Sequence, residues 1–209
     1  MTGLALSYLF VFGIIGLGAV LDKLNVLNDE GARKFIHIGV ANWWLLAMVV
    51  FDTDAFWMAA IPPATFIVLN YISYRFNLVK AIERSEKSVN DLGTVYYAIS
   101  LFLIALIAFY ADVVRVGALA ILIMGYGDGL SAVIGKAIKS PTLRPGKTLA
   151  GTTTMVVASF VVGVLLFPSL WALMLLVALF AGAVELFTPR GFDNLSVPLL
   201  VFLLGVFIV

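Results

Sequence analysis

The chain has 209 residues, of which 63% are hydrophobic and only 12% charged, about half the charged share of an ordinary soluble domain. A water-soluble core of this size needs a polar coat that this composition cannot supply, so the sequence points to an all-α integral membrane protein. The formal net charge of +1 excludes the basic face a nucleic-acid partner requires, and the absence of cysteine excludes disulfides and thiolate metal sites.

About twenty apolar residues cross a bilayer as a helix. In chain order the candidate spans are Leu4–Leu21, Phe35–Phe51, Ala55–Tyr74, Leu92–Tyr110, Val113–Ile134, Leu149–Phe167, Leu170–Phe187 and Leu195–Val209. The last reaches only about 22 Å at about 1.5 Å per residue, so the reading is a bundle of seven or eight transmembrane helices, in one polytopic domain over residues 1–209. The opening Met1-Thr2-Gly3-Leu4 carries no basic run and no small-residue cleavage site, so the first segment is expected to be a retained helix. There is no linker, no low-complexity tract and no clear internal repeat.

The cations predict an orientation. Lys23, Arg33 and Lys34 fall between spans one and two. Arg75, Lys80, Arg84 and Lys87 fall between three and four, and Lys136, Lys139, Arg144 and Lys147 between five and six. Arg190 falls between seven and eight, so Arg115 alone of the 13 basic residues lies on the other side. Positive loops stay inside; the N-terminus is therefore expected outside and these four loops in the cytoplasm.

Polar groups inside the spans need a reason. In Arg33-Lys34-Phe35-Ile36-His37, Arg33 and His37 share a helical face, and Asn28 or Asp29 can cap the helix start. His37 is the only histidine, so it forms no histidine metal site by itself. Glu83 through Asp91 reads as a solvated or interfacial loop. Asp128, in Gly125-Tyr126-Gly127-Asp128-Gly129, lies late in an apolar span, where a carboxylate costs about 2.5–3.5 kcal/mol near the helix centre. Such residues serve ion or substrate chemistry or pair with a nearby lysine. The glycines around it permit close helix approach, access of a phosphate or metal to the backbone, or both.

Lys136, Lys139 and Lys147 precede a helix expected to start near Thr148. Lysines beside a helix N-terminus suit a phosphate and equally suit anionic headgroups. Pro145-Gly146-Lys147-Thr148 is not a P-loop, because Pro141 stands where its first glycine belongs. Glu185 carries the same intramembrane cost as Asp128, and Asp193 and Asn194 read as caps of the last helix. The topology gathers Arg33, His37, Asp128, Lys136, Lys147, Glu185 and Asp193 at the cytoplasmic end, where a soluble nucleotide can meet a membrane lipid.

At these residues the chain resembles the CTP-dependent lipid-alcohol kinases, the family of dolichol kinase, phytol kinase and yeast-type diacylglycerol kinase. The matching pieces, collinear over most of the chain, are Arg33 to His37, Gly93-Thr94-Val95-Tyr96-Tyr97, Gly127-Asp128-Gly129 with Gly135-Lys136, Lys147-Thr148 with Gly151-Thr152, and Glu185 with Asp193 to Pro198. The phytol-kinase branch looks closest, through Asp193 to Pro198. Ala150 stands where the family pattern has a glutamate.

The resemblance implies transfer of the terminal phosphate of CTP to the hydroxyl of phytol, geranylgeraniol, a polyprenol or diacylglycerol. It implies Mg²⁺ held by Asp128 with Glu185 or Asp193, or else Asp128 as proton acceptor. Arg33, Lys34, His37, Gly127, Gly129, Lys136, Lys147 and Thr148 would then form the nucleotide and phosphate site. The stretch from Gly127 to Gly151 also looks like the core of membrane cytidylyltransferases, whose histidine-rich signature is missing. A transporter with Asp128 and Glu185 on an ion path is the reading of another class; the one-sided placement of ionisable groups weighs against it.

Overall fold

The computed structural model describes residues 1–76 and 92–209. Its helices are α1 (Thr2–Lys23), α2 (Asp29–Ala41), α3 (Trp43–Val50), α4 (Phe56–Phe76), α5 (Gly93–Tyr110), α6 (Val114–Leu122), α7 (Gly129–Ala137), α8 (Leu149–Leu166), α9 (Trp171–Phe187) and α10 (Asp193–Ile208). A small antiparallel hairpin, β1 (Thr142–Arg144) and β2 (Lys147–Thr148), precedes α8. The protein is thus the all-α polytopic membrane bundle expected. Lys80 and the segment from Glu83 to Asp91 lie outside the described residues.

Among the described residues, six helical runs are long and apolar enough to cross a membrane: Thr2–Lys23, Thr53–Phe76, Gly93–Tyr110, Val114–Ala137, Leu149–Leu166 and Pro168–Phe187. Val114–Ala137 is the central one: 72% of its most apolar stretch is buried, against 17% for α1. It combines α6, a π-helical segment over Ile123–Asp128 and α7. The segments α2, α8 and α10 pack around it, and Trp43, Trp44 and Phe109 fill the core beside it. The Trp44 indole N–H donates to the Val114 carbonyl at 3.0 Å, which satisfies a polar group where no water is at hand. Leu9, Val49, Leu165 and Phe207 remain exposed, as a lipid-facing surface requires.

One expected span differs in detail. The second span was expected over Phe35–Phe51, with Arg33 and Lys34 in the preceding loop. Its helix starts at Asp29, with Asn28, one of the two expected caps, accepting through Oδ1 from the Gly31 amide at 2.8 Å, and Asp29 and Glu30 complement the positive helix end. Arg33 and Lys34 therefore belong to α2. The same span breaks at Asn42, between α2 and α3. Asn42 Nδ2 donates to the Ile38 carbonyl at 2.9 Å, and Tyr126 Oη donates to Asn42 Oδ1 at 3.0 Å. The amide thus serves the backbone and a neighbouring helix together. The last helix has 16 residues, as short as expected.

Candidate active site

The site is assembled at one end of the bundle from α2, the end of the π segment, the hairpin and the facing ends of α9 and α10. Asp128 is the last residue of the π segment, an irregularity that recurs at functional sites. Lys34 donates to Asp128 Oδ2 and lies 3.4 Å from its backbone oxygen. The lysine side chain is only 6% exposed, so it is a buried ion-pair partner. One turn along α2, His37 Nε2 stands 3.6 Å from the same carboxylate oxygen, just beyond hydrogen-bond reach. The Tyr97 ring covers His37, with centroids 4.2 Å apart, and its hydroxyl donates to the His37 carbonyl at 3.4 Å.

Lys147 reaches the site because of the hairpin. Pro145-Gly146 makes its turn, with Gly146 at φ 75°, a conformation that favours glycine. The Arg190 guanidinium donates to the Gly146 carbonyl at 2.8 Å, and Arg144 lies 5.1 Å over the Phe187 ring. The turn is thereby docked on the end of α9. Lys147 donates to Glu185 Oε1 and, at 3.0 Å, to Asp193 Oδ2. Burial pulls its ammonium pKa down, but the carboxylates of Asp193 and Glu185 outweigh burial and the net shift is upward. Lys147 is thus a largely covered charge, its side chain 10% exposed, held by the two carboxylates.

Asp193 was expected to cap α10. Phe192 occupies the cap position, and Asp193 opens the first turn. Its Oδ1 accepts from the Gly191 and Asn194 amides at 3.0 and 3.1 Å, which leaves Oδ2 to face Lys147. Asn194 does not cap either: its Nδ2 donates to the Gly93 carbonyl at 3.0 Å, locking α10 to α5.

Asp128, Glu185 and Asp193 each bring a carboxylate oxygen within 4.8 Å of the others. All three residues are buried. Glu185 Oε2 and His37 Nε2 are also buried without a hydrogen-bond partner, which is costly unless a ligand completes them. This donor set suits a hard divalent cation, whose ligands are oxygens.

Thr148 caps α8 by accepting from the Gly151 amide at 3.2 Å. A Cβ on Gly135 would fall 2.9 Å from Thr148 Oγ1 and 3.2 Å from Gly151 Cα, so α7 meets the start of α8 through bare backbone. Side chains at Gly127 and Gly129 would overlap Met155 and Ile38; close helix approach is therefore a function of both. Lys136 pairs with Glu30, which also binds Arg33 at 3.3 Å. Arg33 and His37 line a cavity bounded by α1, α2, α4 and α5. Glu30 was not singled out from sequence, and Tyr97 entered only as part of the Gly93-to-Tyr97 stretch of the family resemblance, not as a cover over His37.

No protein-family model and no solved structure matches the chain. Among curated proteins it is 32% identical to the phytol kinase of Synechocystis sp., over 94% of this chain and 86% of that protein. It is 28% identical to phytol kinase 1, chloroplastic, of Arabidopsis thaliana, over 86% of this chain and 66% of that protein. It is also 28% identical to probable phytol kinase 1, chloroplastic, of Oryza sativa subsp. japonica, over 93% and 70%.

Proposed function

The chain belongs to the phytol kinase family, within the lipid-alcohol kinases, and from that premise we propose that it transfers the terminal phosphate of CTP to the hydroxyl of a long-chain lipid alcohol, with Mg²⁺, at the cytoplasmic end of the bundle. The observation that carries this reading is the meeting of Asp128, Glu185 and Asp193 within 4.8 Å, with Lys34 and Lys147 paired to them.

Phosphoryl transfer depends mainly on positioning and on neutralising charge over the phosphates. Three carboxylates facing two ammoniums suit a divalent cation and a polyphosphate together. Asp128, Glu185 and Asp193 would hold Mg²⁺, with one or two of them and phosphate oxygens as ligands. The chemistry it supplies when bound is charge neutralisation at the transferred group. Lys34 and Lys147 then turn from the carboxylates toward phosphate oxygens, and Lys136 and Arg33 supply further positive charge nearby. The alcohol oxygen bonds to the terminal phosphorus as the bond to the leaving nucleoside diphosphate breaks. Asp128 is placed to hold the metal or to take the hydroxyl proton.

The buried ionisable groups of the described residues lie at one end. Arg115, at the other, rests 5.1 Å over the Phe167 ring. That distribution favours chemistry at an interface over a path through the membrane. The test is to incubate purified protein with γ-labelled CTP or ATP and a panel of lipid alcohols. Labelled lipid phosphate with release of CDP is the expected result. Pyrophosphate with a CMP-linked lipid would reveal a cytidylyltransferase, and no lipid product would refute both readings.

A further inference from the structure

The cavity that Arg33 and His37 line extends from the ionic end into the bundle. Its polar lining, including Asn70, Thr94 and Asn194, gathers near the ionic end, where Asn70 Nδ2 donates to the Thr94 carbonyl at 3.1 Å. Its deeper wall is apolar and includes Val11, Trp43, Pro62, Phe66 and Leu101. From Tyr74 to Pro62, both on that wall, α4 advances about 18 Å at about 1.5 Å per residue. That depth is slightly more than half of a hydrocarbon core about 30 Å thick.

We propose that this cavity is the tail site of the acceptor: it takes one unbranched-to-methyl-branched chain of about a leaflet's length, with the hydroxyl at His37 and the far end against Trp43. The inference rests on the kinase reading and adds to it the place where the acceptor's tail is held. Three observations carry it. The cavity adjoins the candidate active site, since His37 lines it while its Nε2 lies 3.6 Å from Asp128. A hydroxyl at that mouth is thus beside the carboxylate cluster, and the tail is in an apolar environment.

The wall of α4 is also unusual. Pro62 and Pro63 are adjacent inside the helix, so neither donates an amide hydrogen to the carbonyl one turn earlier. Their rings give the cavity apolar side-chain surface at that point. Finally, α1 meets α4 deep in the bundle, where Tyr8 and Thr65 hydroxyls are 2.8 Å apart and the Phe12 and Phe66 rings are 5.4 Å apart. Nearer the ionic end, Ile15 of α1 and Asn70 of α4 both stand on the cavity wall, and the proposed route of the tail from the bilayer runs between these helices.

The experiment uses a twenty-carbon isoprenoid alcohol with a diazirine at the end remote from the hydroxyl, photolysed with the purified full-length protein in detergent. Saturable labelling should map to peptides holding Val11, Trp43 or Pro62, and unlabelled phytol should displace it. Ala98, buried on the same wall, offers a steric control. Ala98→Leu should weaken competition by a twenty-carbon alcohol relative to a ten-carbon one by about 10-fold or more, the scale on which an apolar pocket discriminates methylenes. Leu101→Ala, which adds space, should move that ratio the other way. Labelling confined to other helices, labelling that does not saturate, or ratios unmoved by both variants overturns the tail site. CDP release is measured on the same samples. Cavity labelling without turnover retains the tail site and rejects the kinase reading; turnover with labelling elsewhere does the reverse.

Discussion

The Lys147 ammonium sits 3.0 Å from Asp193 Oδ2 at the first turn of α10, and the same nitrogen pairs with Glu185 at the end of α9. One cation from the hairpin therefore holds two helix ends together. It also occupies the place between carboxylates where a divalent cation would exert the same attraction. A bound divalent cation would therefore be an alternative to the ammonium for part of the same negative charge.

Lys147→Met tests that relationship. The variant leaves Glu185 and Asp193 to repel each other, so its thermal stability without Mg²⁺ should fall. Its stabilisation by added Mg²⁺ should exceed that of the parent, because a tighter metal site gives a larger shift at equal concentration. KM for CTP should rise if the ammonium grips phosphate. Melting curves with and without Mg²⁺ read the first effect without turnover. Equal Mg²⁺ shifts in both proteins would remove the metal from the cluster.

Orientation can be read from labelling. Lys136 is 59% exposed and lies at the ionic end, and Asp54 is exposed in the turn before α4. In intact cells an impermeant thiol reagent should modify Asp54→Cys and should reach Lys136→Cys only after permeabilisation. Lys147 is a poor reporter because its side chain is buried. The reverse pattern would place the site outside.

Gly135→Val should damage the junction of α7 and α8. Its Cβ alone would stand 2.9 Å from Thr148 Oγ1, and the branched methyls must displace the cap of α8. Overpacking of this kind costs about 1–3 kcal/mol. The expected outcome is a lower melting temperature and a raised KM for CTP, since Lys147 precedes that cap. An unchanged KM would detach the junction from nucleotide binding.

Much of the bundle was legible because a span is a long apolar run, and Asp128 and Glu185 were legible because carboxylates in such runs are costly. The partners were harder to see. Lys34 was counted with the loop cations and, through the family resemblance, with the phosphate site, but its buried pairing with Asp128 was not named; Asn28, one of the two expected caps, starts its helix. Asp193 read as a cap from residue type, yet one of its oxygens binds local amides and the other faces Lys147. The hairpin that delivers Lys147 has only a few residues in each strand, too few to show an alternating pattern. The π segment before Asp128 has no periodic signal of its own.

Asp128→Asn, with a compensating change at Lys34, separates chemistry from structure. The amide keeps the shape and removes the charge, so a metal ligand or proton acceptor at this position should lose at least about 10²-fold in rate. The variant also leaves Lys34 buried opposite a neutral group. Breaking a buried pair from one side costs about 3–5 kcal/mol, so the single variant should melt lower than the parent. Replacing both members by uncharged side chains is often neutral, and Lys34→Met with Asp128→Asn should therefore recover most of the melting temperature. Activity should not return, because neither the carboxylate nor the ammonium is restored. Monodispersity and melting are measured beside turnover at saturating CTP and Mg²⁺. Near-normal turnover in the single variant would reduce Asp128 to a structural counter-ion of Lys34, and recovery of turnover in the double variant would show that the loss came from the stranded lysine.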